Sequence, residues 1–242
     1  GQSWTNLLLG YPGDNSANST IYKQWSGFAS GTGHHCFFNI GDQVMIGYHA
    51  HKNRNHNNEL NWVGRYFAFD YLYFDSNGVP FCNGPTWSPQ PLPEELSGYA
   101  NIAEGATVVV DNVTNKNAVN DNYIVDCYNL VQEQGKEVVL GEGHSYIEID
   151  FGQEYTIGGI AIYNSSFFDH AVWSIEYIDF GDGNAIYYPE FSYKFIKEDK
   201  EFIFPGSAYT FEFLKEFKSS KVVICFNLPE GGQINEIKVL GY

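Results

Sequence analysis

Histidine is the side chain best suited to ligate a metal or move a proton near neutral pH. Five of the chain's seven histidines, His34, His35, His49, His51 and His56, fall between residues 31 and 56. His49 and His51 stand two apart, so on a strand both point to one face. Such a pair can chelate, but a zinc site needs three or four ligands and no third is spaced to join it. The same imidazoles can hydrogen-bond sugar hydroxyls along a cleft wall, or serve as ordinary polar strand residues. Arg65 has two parallel readings: it pairs with a carboxylate in that cleft, or it anchors a strand edge. His56 lies in KNRNHNNELN, a polar loop that solvates it.

Carboxylates offer a second chemistry. Hydrolysis of a glycosidic bond needs an acid and a base on opposite faces of one sugar. Asp14, Asp42, Glu59 and Asp70 are available, but each lies in a loop or a β alternation that accounts for it without catalysis. No nucleophile elbow, phosphate loop or zinc-protease motif is present. A third candidate is the loop NSSFFDHAVW, residues 164–173. Phe167 and Phe168 can stack on a sugar while Asn164, Asp169 and His170 bond its hydroxyls. Equally, both phenylalanines can fold back onto the core. Trp173 opens the alternating run VWSIEYIDF and reads as core.

The elements that must position these residues read as strands. CFFNIGDQVMIGYHAH is strand, Gly-Asp turn, strand. RYFAFDYLYFDSNGVPFCNG repeats that plan with Asn77-Gly78 as its turn, and Asp75 is placed to cap it. Further strands follow in ATVVVD, SYIEIDFG, TIGGIAIYN, AVWSIEYIDFG, YTFEFL, KVVICFNL and INEIKVLGY. DNYIVDCYNLVQEQG is the one weakly helical stretch. Between the two groups, Pro85, Pro89, Pro91 and Pro93 exclude a central strand or helix interior and predict an extended connector. The expected joint lies near residues 88–100, dividing the chain into 1–95 and 96–242.

Composition narrows the classes. In 242 residues there are 29 acidic and 13 basic side chains, a net charge of −16. That surface repels phosphate backbones and anionic lipid, so nucleic acid and membrane are excluded as expected partners. No apolar run approaches the roughly 18–20 residues of a membrane-spanning helix. The first residues, GQSWTNLLLGYPG, lack the features of a signal peptide. With 19 Phe, 18 Tyr and 5 Trp, the chain is rich in flat rings suited both to β structure and to the C–H faces of sugars. Cys36, Cys82, Cys127 and Cys225 are too widely separated for a zinc signature and read as isolated buried thiols, or else as disulfide partners.

The series GTGHH (31–35), YHAH (48–51), Arg65, FDYLYFDSNGVP (69–80) and GPTWSPQPLP (84–93) resembles the C-terminal end of the family 43 glycoside hydrolases. GHSYIEIDFGQEYTIGGIAIYN (143–164) and the ending INEIKVLGY resemble a discoidin-like, galactose-binding-like domain. The resemblance implies an all-β chain: a partial five-bladed β-propeller, contributing its C-terminal blades, followed by a jelly-roll β-sandwich. In that family the three catalytic carboxylates lie in earlier blades, so this segment would not catalyse alone. Its histidine of the Gly-x-Gly-His motif, here His34, lies on the propeller axis, where it can hold an ion such as calcium or a water cluster. Domains like the second half hold a structural calcium near an early Asp-Gly and a late Glu. Asp126 and Glu236 match, although Cys127 replaces the glycine. The expected partners are a polysaccharide or oligosaccharide, together with a second polypeptide or chain copy covering the open propeller edge. The expected location is secreted or at the cell surface. The alternative expectation is a non-catalytic carbohydrate-binding or adhesion module.

Overall fold

The computed structural model describes Leu8 and residues 30–51, 65–84, 89–127, 129–167, 170–172, 174–181, 183–187 and 206–242. The side chains of 30–32 and 51 are not among them. Strand is the dominant element, and no described helix is long and apolar enough to cross a membrane.

In the first half, β1 (Ser30–Ile40), β2 (Gln43–His51) and β3 (Tyr66–Tyr71) form an antiparallel sheet in that order. The expected Gly-Asp turn joins β1 to β2, with Gly41 at φ 55. One face of this sheet builds a small core from Leu8, Ile46, Tyr48, Ala50, Ala68, Leu72 and Cys82. The second expected hairpin is shorter than the sequence implied. Among the described residues β4 (Tyr73–Phe74) pairs with β5 (Pro80–Phe81) alone, while YFAFDY pairs back onto β2. Asp75 caps its turn as expected, its Oδ1 accepting from the amides of Asn77 and Val79, both at 2.8 Å. Those bonds, Val79's first, hold its pKa below the ordinary value.

The second half is a β-sandwich organised by two very long strands. β6 (Ala100–Asn101), β7 (Thr107–Asp111), β8 (Val113–Thr114) and β9 (Val138–Leu140) precede β10, Gly143–Asn164. β11 (Tyr177–Asp179) and β12 (Ala185–Tyr187) lead to β13, Ala208–Leu228, and to β14, Gly232–Gly241. β10 and β13 run antiparallel along nearly their whole length. Near residues 150–155 the register breaks and β10 changes neighbours: β7 flanks its first part, β14 its second. SYIEIDFG and TIGGIAIYN are therefore one bent strand, as are YTFEFL and KVVICFNL. The isoleucines, valines and phenylalanines pointing inward from both arms make one core that includes Ile147, Ile149, Ile160, Val222, Ile224, Phe226, Ile237 and Val239. The expected strand AVWSIEYIDFG shrinks to Tyr177–Asp179, and the helical stretch to α2, Leu130–Glu133.

The proline connector is fastened to both halves. The Tyr71 hydroxyl donates to Pro91 O at 2.6 Å, and Thr210 N donates to Pro89 O at 2.8 Å. After Pro93 the chain makes one helical turn, α1 (Glu94–Ser97), stopped by Gly98 at φ 74. The β4–β5 hairpin lies on the outer face of β10. Phe81, Ile124, Ala161, Tyr163 and Ala208 form a shared buried cluster with Tyr73 against it. This explains why residues 159–164 are buried on both faces of the strand, whereas 144–150 alternate.

Candidate functional site

The loop that follows β10 is built from side chains that have given up their freedom. Asn164 is 1% exposed. Its Nδ2 donates to Val172 O, and its Oδ1 accepts from Val172 N, both at 2.8 Å. It also accepts from Ser165 N at 2.9 Å. A single amide thus mimics a backbone pair and closes the loop at its neck. Asn164 faces inward and is not presented to a ligand. Beneath the loop, Glu137 is 2% exposed and accepts from Ser165 Oγ at 2.5 Å and Ser166 N at 2.7 Å. Burial pushes its carboxyl up to about 7, with the two Ser165 and Ser166 bonds pulling the other way. Desolvation wins because two neutral donors replace less than a full hydration shell.

These clamps present a short aromatic tip. Phe167 is half-buried and His170 exposed, their ring centres 6.4 Å apart, and His170 N donates to Phe167 O at 2.9 Å. A half-exposed ring beside an exposed imidazole is an arrangement that can take a sugar: C–H groups on the ring, a hydroxyl on an imidazole nitrogen. Phe168, Asp169 and Trp173 lie outside the described residues.

The first half reaches under the same loop. Asn83 is 4% exposed, and its Nδ2 donates to Val125 O at 2.7 Å and Gly206 O at 3.3 Å. Its Oδ1 accepts from Cys127 N at 3.1 Å. Val125 O also accepts from Ser166 Oγ at 3.2 Å. Asn83 and Glu137 are the site's supports that sequence reasoning missed. Neither CNGP nor GKEVV carries a pattern that marks a residue acting 28 or more positions away.

The histidine-rich strands give a different picture. His34 sits at φ 52 within a register shift of β1, exposed, with its ring centre 6.5 Å from that of His49. His35 instead packs edge-on against Phe37 at 5.4 Å. His49 is half-buried, opposite Gly33, whose missing Cβ leaves room for the His49 ring. The His51 backbone pairs with Ser30; its side chain, like His56, lies outside the described residues. Arg65 is exposed just before β3, and among the described residues no carboxylate pairs with it. No group of three or more metal-ligating side chains occurs among the described residues.

The buried acids have structural partners, with one exception. Asp70 accepts from the Tyr48 hydroxyl and from Gln90 Nε2, tying the sheet to the connector. Asp126, 6% exposed, accepts from Asn129 Nδ2 at 2.5 Å, and its charge helps hold the buried thiols of Cys82 and Cys127 protonated, after burial itself. Glu236 is different: it is fully buried, and among the described residues neither oxygen has a hydrogen bond of ordinary geometry. Burial pushes its carboxyl up to about 9. Lys238 and the amides of Asn122 and Asp121 favour the anion only weakly, and the Asp121 charge opposes it. Of the four cysteines, Cys82, Cys127 and Cys225 are buried free thiols and Cys36 is exposed.

No protein-family model matches the chain, and no curated protein matches it. Among solved structures it is similar to a fucose-binding module from Streptococcus pneumoniae, at 19% identity over 59% of this chain and 98% of that one, TM-score 0.43. It is also similar to a family 32 carbohydrate-binding module from C. perfringens solved in complex with galactose, at 11% identity over 59% and 97%, TM-score 0.42. A fucolectin from striped bass, Morone saxatilis, shows 18% identity over 60% and 49%, TM-score 0.39.

Proposed function

We propose that the chain is a non-catalytic carbohydrate-binding protein that takes a sugar at the 164–172 loop. The observation that carries this reading is the loop's construction. Asn164, Glu137 and Asn83 fix a rigid neck and floor, and the tip offers a half-exposed Phe167 ring beside exposed His170. A preorganised tip loses little conformational entropy on binding. The two side chains supply the apolar face and the polar handle that a pyranose needs. A glycan array probed with the whole chain tests it. Binding to one family of neutral glycans, weakened about tenfold by Phe167→Ala, is the expected result. An array with no signal overturns it.

The glycosidase reading assigns β1–β3 to a propeller that needs further blades from another polypeptide, and assigns hydrolysis to carboxylates elsewhere. Asp70, the buried acid of that sheet, is engaged by Tyr48 and Gln90, which supports a structural rather than a catalytic task here. Release of sugar from aryl-arabinofuranoside, galactofuranoside or xyloside substrates by this chain would reverse that preference.

Calcium belongs to the same proposal as a structural ion. Glu236 supplies two buried oxygens that lack a hydrogen bond of ordinary geometry among the described residues, the kind of ligand a hard cation takes; Asp126, the expected partner acid, is held by Asn129, and Asp121 is the acid whose charge reaches Glu236. Remaining ligands would be carbonyl or water oxygens. When bound, calcium would stabilise the ionised Glu236 carboxylate and so the fold. Calcium should raise the melting temperature of the wild-type chain and not that of Glu236→Gln. Equal shifts in both would remove the ion from the account.

A further inference from the structure

The face of the β1–β3 sheet opposite its small core is aromatic, and part of it is exposed. Phe67 is 66% exposed and Phe69 41%. Their ring centres lie 6.0 Å apart, with 37° between the planes. Phe38 closes the other side, 6.3 Å from Phe69 and nearly perpendicular to it. The strand between them carries Gly47, and its glycine is what lets the rings in: a Cβ there would stand 3.0 Å from both Phe38 and Phe67. The result is a shallow trough with a glycine floor and ring walls. At one end His49 lies over Gly33, with exposed His34 beside it. At the other, Met45 and Tyr71 are buried, and Tyr71 is bonded to the connector. The trough is thus continuous with the contact between the two halves.

We infer that this trough is a second carbohydrate site, separate from the 164–172 loop, and that its occupant is a neutral polysaccharide chain. Three observations favour that occupant. The trough residues Phe38, Gly47, Phe67 and Phe69 bear no charge, in a molecule of net charge −16, so an anionic ligand is repelled and an uncharged one is not. Tilted rings beside imidazoles match a ligand whose faces are C–H and whose edges are hydroxyl. A second copy of the chain would bring another −16 against the first, which disfavours self-association through this face.

Affinity electrophoresis of the whole chain in gels of arabinoxylan, β-1,4-galactan and mixed-linkage β-glucan tests the assignment. At least one should retard the wild-type protein. The Phe67→Ala/Phe69→Ala double variant should bind that polysaccharide about tenfold more weakly. Phe67→Trp should keep or strengthen binding, which a merely misfolded sheet would not do. Phe167→Ala should leave this retardation in place, because the loop is a separate site. Loss of array binding in Phe167→Ala, with the trough double variant retarded by the polysaccharide as strongly as the wild type, would leave the loop reading standing and sink this one. No retardation in any of the three gels would also sink it. So would a concentration-dependent dimer, seen by light scattering, that the double variant abolishes.

Discussion

Glu137 shows what a single buried acid contributes. Its folded-state carboxyl is raised to about 7 from an unfolded value near 4.5, chiefly by desolvation. Between those two values the folded protein holds a proton that the unfolded chain has released. Stability therefore falls as pH rises through that window and levels off above it, by up to about 3 kcal/mol. Glu137→Gln cannot ionise and can still accept from Ser166. Its melting temperature should lose that part of the decline between pH 5 and pH 8, and at pH 8 it should exceed the wild type. A variant that declines as steeply as the wild type would show that Glu137 is already ionised in the fold. None of this was legible in GKEVV, because a carboxylate's burial is decided by the loop that folds over it from residues 164–166. Asp75 was legible, since its two partners lie within four positions of it.

Strands reveal themselves by alternation, and the alternation in SYIEIDF and KVVICF marked β10 and β13 correctly. Their lengths were hidden. Period-two patterning is lost where a strand bends between layers, so one element of 22 residues read as two. A second register shift, between Ile157 and Gly159, relies on close backbone approach. A Cβ on Gly159 would stand 2.8 Å from Phe211 O, and backbone cannot step aside as a side chain can. Gly159→Ala should cost about 1–3 kcal/mol in urea denaturation; an unchanged midpoint would contradict the packing described for that corner. The apolar run GGIAIYN, read as a strand, carries no alternation for a related reason. It is buried on both sides because the β4–β5 hairpin, from the other half of the chain, covers Ala161 and Tyr163.

At the scale of the molecule, the two halves are coupled through Asn83, whose amide spans Val125, Gly206 and Cys127. Removing it leaves buried polar backbone groups without a partner, at about 1–3 kcal/mol for each group fully orphaned. Asn83→Ala should lower the melting temperature and speed proteolytic cutting of the proline connector. Equal cutting rates would show that the halves hold together without that amide. Two β regions and a proline-rich joint could be read from composition and turn residues, but the contact between them could not. It is made by residues such as Phe81 and Tyr163, far apart in the chain and unremarkable in isolation. The aromatic count hinted at sugar binding, while the exposure of Phe67 and Phe69 side by side on one sheet face had to await the sheet's register.

Isothermal titration of the whole chain with the best array glycan, repeated on Phe167→Ala and on His170→Ala, addresses the central claim most directly. Saturable one-to-one loop binding, weakened about tenfold by either substitution with the melting temperature unchanged, is the predicted result. Wild-type affinity retained in both variants would place the sugar elsewhere and contradict the account.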